Sequence, residues 1–536
     1  MKNSTNPNYT SLVTKYDFSE LKENQEKELE INPLMIRFKE SRENFKNDKF
    51  RPTFHYINPE STLNDPNGLC FWQGHWHLFY QAYPPEDTRQ HWGHAVSSDL
   101  IHWQDLPFAI YPDPEECCFS GSTLVEKDRV IAMYHGTKVG NMIATSSDPL
   151  LLNWKKLGDG PVIPFPDSLN EAEYSVFDPC IWRKKGKYYS LSGGTLPNGP
   201  ANKQIRANFL FCSDDLIEWQ YLHPFVENDM YSIVGDDGAC PYFWPIGDKH
   251  MLLFFSHMSG GQYLTGDYDQ DRDKFVVTNG GKFNFGPSRP SGVHAPSATP
   301  DGKSGIITIF NMNEGIKSND WDQIMSLPRR LQLGKEDQLK IEPAGEIESL
   351  RYDHYYMENK EIQANHELVL EGIEGNTVEL NLEIDPKDAN LVEVNVLRSP
   401  NKEEFTRITF FKDRGYNYRF RAPNRTALNA NSPLIKNIKS RQESLLTIDT
   451  SYSSILPDSI SRAPETAPVH LDDQEILNLR IFIDRSVLEV FINGKQCVSV
   501  RVYPGRDDSL GISLYARGSA AKLIKMDAWK MKSIYE

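Results

Sequence analysis

His75-Trp76-His77-Leu78-Phe79-Tyr80 is the first of five short apolar runs. Val130-Ile131-Ala132-Met133-Tyr134 is the second and Lys187-Tyr188-Tyr189-Ser190-Leu191 the third. His250-Met251-Leu252-Leu253-Phe254-Phe255 and Ile306-Ile307-Thr308-Ile309-Phe310 complete the series. The runs lie about 55 to 65 residues apart, just beyond the period of propeller-blade repeats. A second element accompanies them. Ser98-Asp99-Leu100-Ile101-His102-Trp103 resembles Ser213-Asp214-Asp215-Leu216-Ile217-Glu218-Trp219, and Ser147-Asp148-Pro149 followed by Trp154 is a looser copy. An aspartate that bonds the turn backbone ahead of a buried Trp suits a blade-edge hairpin. Five strand repeats with a recurring edge motif predict a five-bladed β-propeller. An irregular pair of β-sandwiches does not explain the even spacing.

Working outward, aromatic and β-branched runs alternate with Gly, Pro, Asp and Asn clusters over residues 51–340, an all-β signal. Beyond Arg351 the pattern becomes simple alternation, as in Leu479-Arg480-Ile481-Phe482-Ile483-Asp484. Val487 to Ile492 then meets Asn493-Gly494, a type I′ hairpin signal. Residues 351–536 are therefore expected to form an antiparallel β-sandwich, with long loops from Asn424 to Pro468. Residues 1–50 are polar, and the helical spacing from Leu21 to Lys46 predicts a short helical N-terminal extension outside the main body.

The chain has 536 residues, too many for one compact core, and a formal net charge of −16. Such a surface repels phosphate backbones, so nucleic acid is not expected as a partner, whereas a neutral sugar is not repelled. Seven scattered Cys without CxxC spacing argue against a zinc site and against a disulfide framework. No metal and no cofactor are expected. No run of 18 apolar residues exists, so no membrane span is expected. The first residues lack an apolar h-region, and with the Cys pattern this leads to the expectation of a cytoplasmic location. Nothing in the sequence fixes the oligomeric state.

A propeller brings the inner strands of all its blades to one central pit, so carboxylates far apart in sequence can share one site. Three acidic positions fit. Asp65 stands in Leu63-Asn64-Asp65-Pro66-Asn67-Gly68-Leu69, ahead of the apolar run of blade one. Asp178 stands in Val176-Phe177-Asp178-Pro179-Cys180, ahead of blade three, and the pair Asp236 and Asp237 precedes blade four. Each also suits a surface turn. The recurrence of Asp-Pro ahead of an apolar run tips the reading toward a site. Glycoside hydrolysis needs such a set: one carboxylate attacks the anomeric carbon and another group protonates the leaving oxygen. Crowding in a pit raises the pKa of the acid, which then holds its proton near neutrality.

Asn64-Asp65-Pro66-Asn67-Gly68, Phe79-Tyr80-Gln81, Trp92-Gly93-His94-Ala95-Val96-Ser97 and Phe119-Ser120-Gly121-Ser122 together resemble glycoside hydrolase family 32, the invertases, inulinases and levanases. Ser326-Leu327-Pro328-Arg329 and Asp484-Arg485-Ser486-Val487-Leu488-Glu489 extend the resemblance to the C-terminal part. The resemblance implies a five-bladed propeller followed by a β-sandwich. It implies Asp65 as nucleophile and Asp178 as the aspartate that holds sugar hydroxyls and stabilises the transition state. It places Asn64, Gln81, Trp92, Phe119 and Ser120 around a fructose subsite.

Two positions depart from the family. Phe177 stands where an Arg usually precedes the stabilising aspartate, and Ala239 stands where a Glu before Cys240-Pro241 normally supplies the proton. Asp236 or Asp237 is the expected substitute, with Glu115 and Glu116 next. Arg289 and His294 are candidates for the missing Arg contact, while His91, His94, His102 and His257 suit structural roles. The expected activity is release of fructose from the non-reducing end of sucrose or fructans, with retention. Alternatives are a propeller glycosidase for another furanoside such as arabinan, a fructosyltransferase, and a non-catalytic fructan-binding protein.

Overall fold

The computed structural model describes all residues except 1–10, 167–172, 197–201, 204, 234–235, 317, 319, 416–442, 461, 473–474 and 536. Five sheets, antiparallel apart from the short strand Val226–Glu227 at the edge of the fourth, follow one another along the chain. Their innermost strands are Leu63–Trp72, Cys118–Val125, Pro179–Lys184, Ala239–Ile246 and Val293–Pro300. Each touches the next, and the last returns to the first, so the sheets close into a five-bladed ring. The five apolar runs are the second strands, buried between neighbouring blades, with Val130–Gly136 and Ile306–Met312 buried throughout. Polar spokes tie the inner strands across the axis. Tyr242 Oη donates to the Gly121 carbonyl at 2.8 Å and accepts from the Gly68 amide at 3.0 Å, and Ser122 Oγ accepts from the Ile181 amide at 2.9 Å.

The Ser-Asp motif does the turn work expected of it. Asp99 Oδ1 accepts from the Ile101 and His102 amides, Asp215 Oδ1 from those of Ile217 and Glu218, and Asp148 from those of Leu152 and Asn153, at 2.8 to 2.9 Å. Leu100, Leu216 and Leu151 then turn left-handed, with φ of 71°, 73° and 51°. A caged carboxylate is what holds three leucines in a conformation that costs about 1–3 kcal/mol each.

Two six-stranded sheets form the C-terminal sandwich, whose aliphatic core is separate from that of the propeller. Asn493 and Gly494 both have positive φ, 51° and 62°, as the hairpin requires. The expected loop region from Asn424 to Pro468 is corrected in part: Ser444–Asp449 and Glu465–Val469 are strands of this sandwich. Its segment 424–442 lies outside the described residues. Two helices, Lys22–Ile31 and Pro33–Phe45, pack on blade one. Phe38 meets Phe108 edge-on, and Arg42 grips both oxygens of Asp105 at 2.5 and 2.6 Å.

Glu489, on Val487–Ile492, is turned away from the sandwich core toward the propeller. It pairs with Arg329 at 3.1 Å and lies 3.3 Å from His55 Nε2, all three side chains fully buried. Asp484 bonds His55 Nδ1 at 2.9 Å and accepts from the Thr53, Phe54 and His55 amides. The two halves are therefore joined by a buried charge cluster, placed where the two C-terminal sequence motifs meet.

Candidate active site

Four of the five inner strands begin with a register irregularity. These lie between Leu63 and Pro66, Cys118 and Gly121, Ala239 and Tyr242, and Val293 and Pro296. A bulge kinks its strand and re-aims a side chain, and such bulges gather beside active sites. The residues inside them are Asn64-Asp65, Phe119-Ser120, Cys240-Pro241 and His294-Ala295. Blade three contributes Asp178, immediately ahead of its inner strand. The turn-forming Asn67-Gly68 thus serves a bulge within a strand; Gly68, at φ 50°, has Thr123 and Trp92 where a Cβ would stand.

The bulges bring these side chains into contact. Asp65 Oδ2 accepts from Ser120 Oγ at 2.8 Å and from Gln81 Nε2 at 3.3 Å. Gln81 also reaches Ser120 at 2.8 Å and Asn64 at 3.2 Å, and Asn64 accepts from Asn311 at 3.2 Å. Cys240 links the two aspartates: its Sγ lies 3.4 Å from Asp65 Oδ2 and 3.5 Å from Asp178 Oδ2, and its amide donates to Asp178 at 3.0 Å. Cys240 is held at φ 49° to do so. Burial and the two neighbouring carboxylates push its thiol pKa well up, so it stays protonated and donates. His294 Nδ1 stands 3.4 Å from Asp65 Oδ1. Asp65 Oδ1 and Asp178 Oδ1 are buried without a hydrogen bond among the described residues.

The two carboxylates are pushed apart in acidity. Burial raises Asp65, but His294, Ser120 and the Cys240 thiol outweigh it and hold this group below the ordinary range. Burial and then the charge of Asp65 push Asp178 up to about 7, against the bonds from Cys240. Such a separation lets one carboxylate act as an anion while its neighbour keeps a proton near neutrality.

Of the expected subsite residues, Asn64, Gln81 and Ser120 meet at this pit, while the Phe119 ring lies 6.0 Å from that of His135. Trp92 is a correction: it has no exposed surface and instead holds the Phe119 carbonyl at 2.9 Å from behind the wall. Asp236 is a second correction. It is completely buried and takes bonds from the Ile233 amide, Ser259 and Gln262, so both of its oxygens are spent anchoring its own loop. Asp237 is half-buried and hydrogen-bonds His257 Nδ1. Glu115 is buried against Lys156, Tyr134 and Cys118, and Glu116 lies near Lys138. Arg289 is exposed near Glu314, whereas His294 does border the site. The bridging role of Cys240 carries no signal in the sequence beyond its place before Pro241.

Residues 55–343 match the glycosyl hydrolases family 32 N-terminal domain, and residues 346–530 match the family 32 C-terminal domain. The chain belongs to glycosyl hydrolase family 32. This family 32 protein is a glycosidase, and its propeller and sandwich are those the sequence motifs imply. It is 26% identical to levanase of Bacillus subtilis (strain 168), over 91% of this chain and 71% of the relative. It is also 26% identical to fructan 6-exohydrolase of Beta vulgaris, over 90% and 87%. Its fold superposes on fructan 1-exohydrolase IIa from Cichorium intybus with a TM-score of 0.77, at 23% identity, covering 91% of this chain and 98% of the other.

In this family 32 glycosidase the two unusual residues are neighbours. Ala239 is buried in an apolar cluster with Cys240, Phe255 and Ala295, and Phe177 packs against the same cluster. Where the family places a cation and an acid, this pit has a hydrophobic wall.

Proposed function

We propose that this glycosidase releases fructose from the non-reducing end of sucrose or fructans, by double displacement with retention. The observation that carries this reading is the joining of Asp65 and Asp178 in one pit through the Cys240 thiol. The names of the relatives, levanase and fructan 6-exohydrolase, support the substrate class. Asp65 Oδ1 attacks the anomeric carbon of the terminal fructose, and the bond to the leaving oxygen breaks. Ser120 and Gln81 fix Asp65 Oδ2, which aims the other oxygen. Asp178 bonds ring hydroxyls and faces the positive charge that develops on the sugar. Asn64 and Phe119 complete the fructose pocket with an amide and an aromatic face.

The test is incubation with sucrose, inulin, levan and arabinan, with the first-formed anomer followed by NMR. Free fructose released initially as the β-anomer is expected. Release of arabinose, or of the α-anomer, sinks the reading, and transfer to an added sugar acceptor in preference to water redirects it.

A further inference from the structure

The apolar wall leaves the leaving oxygen without the family's proton donor. We infer that His257, held by Asp237, is the catalytic acid of this glycosidase, an inference that rests on the fructosidase reading above.

The strand register carries the argument. Ala239 is paired with Phe255 across the first two strands of blade four. Asp237 lies two residues before Ala239 and His257 two residues after Phe255, just beyond the two strands at the same end of the blade. The His257 amide donates to Asp237 Oδ1 at 3.3 Å, and His257 Nδ1 bonds Asp237 Oδ2. Both oxygens of Asp237 are thereby engaged, so this carboxylate cannot itself protonate a sugar. It fixes the ring, and His257 Nε2 makes no hydrogen bond among the described residues. The His257 side chain is 61% exposed, so a substrate can reach it. Its ring lies 4.6 Å from that of Phe255 and 6.2 Å from that of His294, the residue that touches Asp65. The donor is therefore linked to the nucleophile through His294 and is more exposed than it, at 61% against 11% of the side chain.

The charges around the ring favour its protonated form. The bond to Asp237 raises the His257 pKa; burial lowers it, but the charges of Asp237, Asp65 and Asp178 add to the rise. Among the described residues, His294 is the other titratable ring beside it.

The proton balance closes. Asp65 Oδ1 bonds the anomeric carbon, the carbon–oxygen bond to the leaving group breaks, and its electron pair takes the proton from His257 Nε2. Imidazole is left neutral and Asp237 stays an anion. Water then gives a proton to Nε2 while its oxygen attacks the same carbon and expels Asp65. One water is consumed and the imidazolium is restored.

The experiment compares the parent enzyme with His257→Asn, which keeps a donor for Asp237 but has no acid, on sucrose and on p-nitrophenyl β-fructofuranoside. A general acid contributes about 10²- to 10⁴-fold. His257→Asn is expected to lose that factor in kcat on sucrose and far less with nitrophenolate, which leaves without a proton. The alkaline limb of its kcat/KM profile disappears. Asp237 is a positioning residue, and Asp237→Asn moves that limb to lower pH. Equal losses on both substrates, or an unchanged alkaline limb in folded His257→Asn, would overturn the inference while the fructosidase reading stands. A parent enzyme that releases fructose from no sugar overturns both.

Discussion

Phe177 and Ala239, from different blades, meet at one apolar cluster beside the two buried aspartates. Each alone departs from the family pattern; together they replace a pair of charges by a hydrophobic contact. A lone carboxylate in such a cluster has no partner and loses its hydration. Ala239→Glu is therefore expected to destabilise the fold by about 2–4 kcal/mol. Adding Phe177→Arg supplies the opposite charge and recovers part of the loss, with a coupling of about 0.5–3 kcal/mol. Urea denaturation of the two single variants and the double variant measures it. Strict additivity would show that the two positions are independent.

Asp65→Asn is expected to abolish turnover with the melting temperature nearly unchanged, because the amide fills the same space without a nucleophilic oxygen. It has a second, non-kinetic consequence. The negative charge of Asp65 is part of what raises Asp178, so the Asp178 carboxyl titrates at lower pH in this variant. Carbon-detected NMR of labelled aspartate reads that shift. A folded Asp65→Asn enzyme with near-normal activity removes this residue from the chemistry.

The position of Asp178 near 7 predicts the acidic limb of the activity profile. If stabilising the cationic sugar requires the anion, kcat/KM rises with pH through about 7. Burial dominates the shift and no cation precedes Asp178, so Phe177→Arg is expected to move the limb to lower pH. The raised pKa also has a stability sign. The folded state holds a proton that the unfolded chain has released, so this group costs stability as pH rises from its unfolded value of 3.8 toward 7. An acidic limb that stays put in Phe177→Arg contradicts this assignment.

The propeller was legible because its signals are local and repeated. The apolar runs mark the buried second strands, and Asp99, Asp148 and Asp215 mark the turns. The meeting of Asp65 and Asp178 was legible because Asp-Pro recurs ahead of an apolar run, and the structure joins the two through Cys240. What escaped was set by register. Nothing local distinguishes Asp236, which closes a loop, from Asp237, which grips His257; only the pairing of Ala239 with Phe255 separates them. Trp92 supports the wall from behind, a depth that is not written in a single side chain. The sandwich strands Ser444–Asp449 and Glu465–Val469 were hidden in a Ser-, Asn- and Pro-rich stretch whose composition outweighs its short alternations.

The last prediction concerns the junction of the two halves, where Glu489 sits between Arg329 and His55. Glu489 alternates with Leu488 and Val490, which face the sandwich core, so its carboxylate is delivered to the propeller side. Removing one member of a buried charge set leaves the others uncompensated, at a cost of about 3–5 kcal/mol. Glu489→Gln is therefore expected to lower stability by that order while kcat per folded molecule stays near the parent value. The pH dependence follows from the shifts. Burial lowers the His55 pKa, but Asp484 and Glu489 overcome it and raise the group from 6.5 to about 9. Its contribution is fully present below 6.5 and is lost as pH rises through about 9. Burial raises Glu489, but Arg329 and His55 bring it from 4.5 down to about 2. Its contribution is present above 4.5 and is lost as pH falls through about 2. The melting temperature of the parent should hence fall on both sides of a plateau, and His55→Gln should lose the alkaline fall attributable to this ring. Calorimetry across about pH 2 to 10 checks both limbs. A Glu489→Gln protein that melts like the parent, or that is fully folded yet inactive, would show that the sandwich does something other than hold the propeller.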